Sequence, residues 1–164
     1  MQKFKYNLNK ALEIVCIALF VFITIIGSYQ IITRYVFNSP STVSEELLTY
    51  SFTWLALLSA SLVFAKREHM RMGYLADKLQ GNSKHILAII VELLVLIFSA
   101  LILVYGGLSI TKLTKTQVTA SLGIQMAYIY AVVPISGVLT IIYNFINICE
   151  TISILKSSSS KQSK

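Results

Sequence analysis

The chain has 164 residues, of which 55% are hydrophobic and only 13% charged, with a formal net charge of +7. A soluble domain is about half apolar but carries roughly a quarter charged residues, so this deficit excludes an ordinary water-soluble fold and points to lipid as the main solvent. Two cysteines argue against a secreted disulfide scaffold, and the apolar content argues against disorder.

Four apolar runs follow one another along the chain: residues 14–32, 47–65, 86–108 and 126–148, which are 19, 19, 23 and 23 residues long. Crossing a hydrocarbon core of about 30 Å takes roughly 20 residues at a helical rise of about 1.5 Å, so each run is long enough to span alone. No run alternates apolar and polar residues as a membrane strand does, and backbone groups in lipid must be satisfied within the segment. The sequence therefore predicts an all-α membrane protein with four transmembrane helices. The first run follows Lys3, Lys5 and Lys10 as a signal peptide would, but it is too long for one. It is followed by Gln30, Arg34 and Tyr35 rather than a small-residue cleavage site, and is read as the first helix.

The 14 basic residues set the orientation. Lys3, Lys5 and Lys10, then Lys66, Arg67, Arg71, Lys78 and Lys84, then Lys156, Lys161 and Lys164 place eleven on one side; Arg34, Lys112 and Lys115 leave three on the other. The positive-inside rule puts both termini and the middle loop in the cytoplasm. The net charge then reads as a topology signal and an attraction to anionic lipid, not as a nucleic-acid surface. Residues 1–13 form a cytoplasmic N-terminus, 14–156 the membrane domain, and the serine-rich stretch 157–164 a disordered cytoplasmic tail.

Within that frame, Trp54 in the second run lies about 13 Å along the helix from Glu45, deeper than an interfacial aromatic belt, and reads as a packing wedge. The same run holds Ala56/Ala60 and Ser61/Ala65, small residues four apart that let helices approach closely. In the middle loop Met72, Leu75 and Leu79 repeat at helical spacing among Arg71, Asp77 and Lys78. An amphipathic helix lying in the membrane interface is predicted there, anchored also by Lys66 and Arg67, although Gly73 disfavours it.

Glu92 is the one charge inside a run. An ionisable group in a span raises a functional hypothesis, but this one sits only about 10 Å beyond His85, in the cytoplasmic half. Three structural readings are open to it: a protonated carboxyl, a pair with Lys66 or Arg67, or contact with a polar group on a partner. Pro134, followed by Ser136 and Gly137, predicts a kink in the fourth run, and Gly106 and Gly107 loosen the end of the third. Residues 109–125 read as a partly ordered outward excursion. Cys16 and Cys149 fall near the reducing face, and His69 and His85 fall in the middle loop. This placement supports neither a disulfide nor a haem clamp and argues against a membrane enzyme.

Several stretches together resemble a known family. Arg34-Tyr35-Val36-Phe37, Ser44-Glu45-Glu46-Leu47, Trp54, Ala65-Lys66-Arg67-Glu68-His69-Met70, Thr119-Ala120-Ser121-Leu122-Gly123-Ile124, Tyr128 and Pro134-Ile135 occur in the order found in the small membrane subunit, DctQ type, of tripartite ATP-independent periplasmic (TRAP) transporters. The resemblance covers roughly residues 10 to 150, with Val43 standing where the family often has Trp and Gln125 where it often has Pro.

The resemblance implies a subunit of the bacterial inner membrane with no catalytic, cofactor or metal site of its own. Its partners would be lipid, a periplasmic binding protein that delivers an organic acid, and a large elevator-type subunit that carries substrate and sodium ions. The small subunit would scaffold that large one, with Trp54, Ala56, Ala60, Ser61, Glu92 and Pro134 as candidate packing residues. Arg34, Glu45, Glu46, Lys112 and Lys115, near the outer surface, would be candidates for docking the binding protein. Sialic acid and C4-dicarboxylates are both within the family's range. The rival is a self-sufficient four-helix proton-coupled exporter, which needs a carboxylate in a central chamber; Glu92 is off-centre, and the middle loop is long for such a protein.

Overall fold

The computed structural model describes residues 2–66 and 82–162. Helix α1 spans Gln2–Tyr35, α2 Thr42–Ala65 and α3 Asn82–Phe98. Helix α3 runs on as a wider π-helical stretch, Ser99–Gly106, and then as α4, Gly107–Leu113. A single 3-10 turn, Thr114–Thr116, a hairpin-like loop, and α5, Met126–Tyr130, lead into α6, Val132–Gln162. Four stretches are long and apolar enough to cross a membrane: Lys5–Tyr35, Thr42–Ala65, Ile89–Thr116 and Met126–Ile152. They match the four expected spans in number and order, in an all-helical chain whose one β contact among the described residues is an isolated bridge, Val118 to Gln125.

Three boundaries differ from the sequence expectation. Helix α1 starts at Gln2 rather than near Ile14, because Lys5, Leu8, Leu12 and Cys16 fall on one helical face that packs inward. The third span continues past Leu108, since the hydroxyls of Ser109, Thr111 and Thr114 donate to the carbonyls of Tyr105, Gly107 and Ile110 one turn back and leave the ladder intact. Helix α6 runs through Gln162, into the serine-rich stretch; no glycine or proline follows Gly137 to stop it. The interfacial-helix segment, with Arg67, Met72, Leu75 and Leu79, lies outside the described residues.

Pairwise contacts give the directions. Gly27 approaches Leu48, Cys16 lies 3.7 Å from Ser59, and Glu13 bonds to Lys66, so α1 and α2 are antiparallel. Trp54 bonds to Ile129, Ser61 to Ser136 and Asn147 to Phe64, so α2 and α6 run parallel. Helix α6 is the hub, packed against α2, α3 and the π-helical stretch. Two glycines permit that approach: a Cβ on Gly137 would stand 2.7 Å from Leu103 Cβ, and one on Gly107 2.9 Å from Pro134 Cδ. Pro134 is buried in the first turn of α6, and helix α5 breaks from α6 at Ala131. The proline has no N–H to give the Tyr130 carbonyl and its ring crowds that group, so the expected kink is realised as a helix break just upstream.

Candidate partner-binding surfaces and the buried polar seam

The end of the bundle away from the termini is held by Glu46. Its two carboxylate oxygens accept hydrogen bonds from the backbone N–H groups of Ser121 and Leu122, each at 3.1 Å. The loop it clamps is itself closed. Thr119 N–H donates to the Ile124 carbonyl at 2.9 Å, Ile124 N–H donates back to the Thr119 hydroxyl at 3.2 Å, and Met126 N–H donates to the Gln117 carbonyl at 2.9 Å. Gly123 turns the loop at φ +66, in the left-handed region that favours glycine. Helix α2 begins beside it with Ser41 as N-cap, whose hydroxyl accepts from Ser44 N–H.

Four of the five candidate docking residues lie at this same end of the bundle with exposed side chains: Arg34 in the last turn of α1, Glu45 in the first turn of α2, and Lys112 and Lys115 after the π-helical stretch. The Arg34 guanidinium lies 5.9 Å from the Tyr35 ring centroid. Glu46 differs from them, because its carboxylate ties α2 to the hairpin-like loop within the chain.

The candidate packing residues separate into two sets. Trp54 wedges between helices, its indole N–H donating to the Ile129 carbonyl at 3.2 Å. Ser61 is buried, donates to the Ser136 carbonyl at 3.1 Å and accepts from Thr140 at 3.3 Å. Glu92, on α3, is buried at 3% exposure. Ala56 and Ala60, by contrast, lie exposed on the outward face of α2, in line with Thr49 and Thr53, whose hydroxyls bond back to their own helix. An open groove of about 370 Å³, lined by Ile23, Leu48, Thr49, Phe52 and Thr53, runs beside them.

Near the termini, Lys66 bonds to Glu13 at 2.8 Å. Lys5 donates to Asn147 Oδ1 at 2.8 Å and to Glu150 at 3.3 Å, while the Asn147 amide donates to the Phe64 carbonyl at 3.1 Å, a clasp joining α1, α2 and α6. The sequence reading missed this clasp. Its signal was present all the same: Ser136, Thr140, Asn144, Asn147 and Thr151 recur at helical spacing inside the fourth apolar run, and all five are buried. Among the described residues no group of three or more His, Cys, Asp or Glu side chains is placed to hold a metal ion.

Four membrane-spanning helices, the first, second and fourth joined by polar bonds and the third packed against the fourth, define a multi-pass helical membrane protein whose interior is a packing seam. The family model for the DctQ component of tripartite ATP-independent periplasmic transporters matches residues 23–153, and the chain belongs to that family. It is a small permease subunit of the inner membrane, not an enzyme. Among its relatives are two putative TRAP transporter small permease proteins of Haemophilus influenzae. One is 36% identical over 63% of this chain and 64% of its own length; the other is 30% identical over 94% and 91%. The sialic acid TRAP transporter small permease protein SiaQ of Vibrio cholerae is 25% identical over 95% of this chain and 90% of its own. A sialic acid TRAP transporter permease protein, SiaT of Haemophilus influenzae, is 28% identical over 72% of this chain but only 19% of its own length.

Proposed function

We propose that this chain scaffolds the large membrane subunit of a TRAP transporter for uptake of an organic acid, with both termini in the cytoplasm. The observation that carries the reading is the use made of polar groups. Ser61 and Asn147 inside the bundle fasten its own helices to one another, and the one ionisable group in the third span, Glu92, is buried. The SiaT match supports a lasting attachment, since there a segment similar to this chain is one part of a much longer permease.

In this reading the outward face of α2 receives the large subunit: Thr49, Thr53, Ala56 and Ala60 are small enough to admit a neighbouring backbone, whereas α1 presents Ile14, Ile17, Phe20 and Ile25. The large subunit carries substrate and sodium ions. A periplasmic binding protein docks at the opposite end from the termini, on Arg34, Glu45, Lys112 and Lys115, around a loop kept rigid by Glu46. Sialic acid is the favoured substrate, because two relatives are sialic acid permease proteins.

Uptake of labelled sialic acid into proteoliposomes tests the division of labour. The chain alone is expected to give no uptake, and Glu92→Gln in the assembled transporter to retain it; transport by the chain alone would favour the exporter reading. Ala56→Leu combined with Ala60→Leu is expected to reduce co-purification with the large subunit about tenfold, equivalent to about 1.4 kcal/mol. Undiminished co-purification would assign that face to lipid.

A further inference from the structure

The end of the bundle away from the termini is built from two units, each held by its own hydrogen bonds. One carries Arg34 and Glu45: Ser39 N–H donates back to the Thr33 carbonyl of α1 at 3.0 Å, and two residues later Ser41 caps α2. The other carries Lys112 and Lys115. There the Thr114 hydroxyl donates to the Ile110 carbonyl at 2.8 Å, Gln117 N–H donates to the Thr114 carbonyl at 3.2 Å, and the Gln117 carbonyl accepts from Met126 N–H at 2.9 Å. The helix with Lys112, the turn with Lys115 and the loop beyond are thereby one piece.

Glu46 fastens the two units together. Among the described residues, the bonds it accepts from Ser121 and Leu122 are the only hydrogen bonds that cross from residues 34–50 to residues 107–125. The Trp54 bond to Ile129 lies eight residues further along α2, about 12 Å deeper. Two successive backbone N–H groups on the two oxygens of one carboxylate make a charge-assisted, two-point hold, which fixes orientation as well as distance. We infer that Glu46 is a positioning residue for docking: its carboxylate sets the Arg34–Glu45 unit against the Lys112–Lys115 unit before a partner arrives. This rests on the reading that a binding protein docks at this end. Contacts ordered in advance spare the complex the cost of ordering them, so loss of the clamp should weaken the encounter and leave the transport step alone.

The test is uptake of labelled sialic acid by proteoliposomes holding this chain with the large subunit, followed against the concentration of loaded binding protein and normalised to assembled complex. Glu46→Ala should raise the half-saturating concentration about tenfold and keep the maximal rate within about twofold. Glu46→Gln, which retains one acceptor oxygen, should raise it about threefold. Lys112→Glu combined with Lys115→Glu tests the docking reading by itself, and should raise the same concentration about tenfold. If the charge reversal acts and Glu46→Ala does not, the positioning role is overturned and the docking reading stands. If neither acts, the docking site itself is wrong and the positioning role goes with it. A lower maximal rate at unchanged half-saturation would also overturn the role, because Glu46 would then serve assembly or the transport step.

Discussion

Helices α1 and α6 are both long enough and apolar enough to cross a membrane, yet 50% of the apolar window of α6 is buried against 6% of that of α1. Hydrophobicity does not separate them, and on the hydropathy scale α1 is the more apolar of the two. What α6 has is a row of serine, threonine and asparagine side chains facing the other helices, while α1 turns isoleucine and phenylalanine outward. In lipid an isoleucine gains nothing by being buried, since the acyl chains are as apolar as a protein core. Close packing and interhelical hydrogen bonds select the interior instead.

That contrast can be broken from the α6 side first. Gly137→Val should be the most damaging single change, costing about 3 kcal/mol in unfolding experiments in bicelles, because the new side chain meets Leu103 with no room to yield. Glu46→Ala should follow at about 2 kcal/mol by freeing two backbone N–H groups, and hydrogen exchange at Ser121 and Leu122 should accelerate while the α2–α6 contact stays protected. Asn147→Leu removes the bonds to Lys5 and Phe64 and should cost about 1 kcal/mol; a value near zero would mean the clasp merely tolerates its polar groups. At the other extreme, Ile17→Leu on the outward face of α1 should stay within about 0.5 kcal/mol of the unaltered chain. A large loss there would show that α1 has a protein neighbour at that position.

The same contrast marks what the sequence made legible. Averaged hydropathy finds Leu47 to Ala65 or Met126 to Ile148 readily, because in each the apolar residues far outnumber the rest. Averaging also hides Asn144 and Asn147, both buried on the inward face of α6, the second bonded to α1 and α2. It truncated α1 as well, because Lys5 looks like a solvent-facing residue until α6 is there to receive it. The Glu46 contact with the 119–124 loop spans 75 residues and depends on backbone N–H groups that carry no sequence signal. Trp54 was legible as a wedge, because its depth follows from the helical rise alone.

The clasp at Lys5 ties the first helix to Asn147 and Glu150 of the fourth span, a separation of 142 and 145 positions. As the chain emerges in order, α1 can find α2 early, through Leu8, Leu12 and Glu13, but Lys5 meets Asn147 and Glu150 only once the fourth span has been made. Completion of the bundle is therefore a closing step across more than 140 positions, with the slow assembly that long sequence separation imposes. A chain that stops before Asn147 would leave the Lys5 end of α1 without this tie.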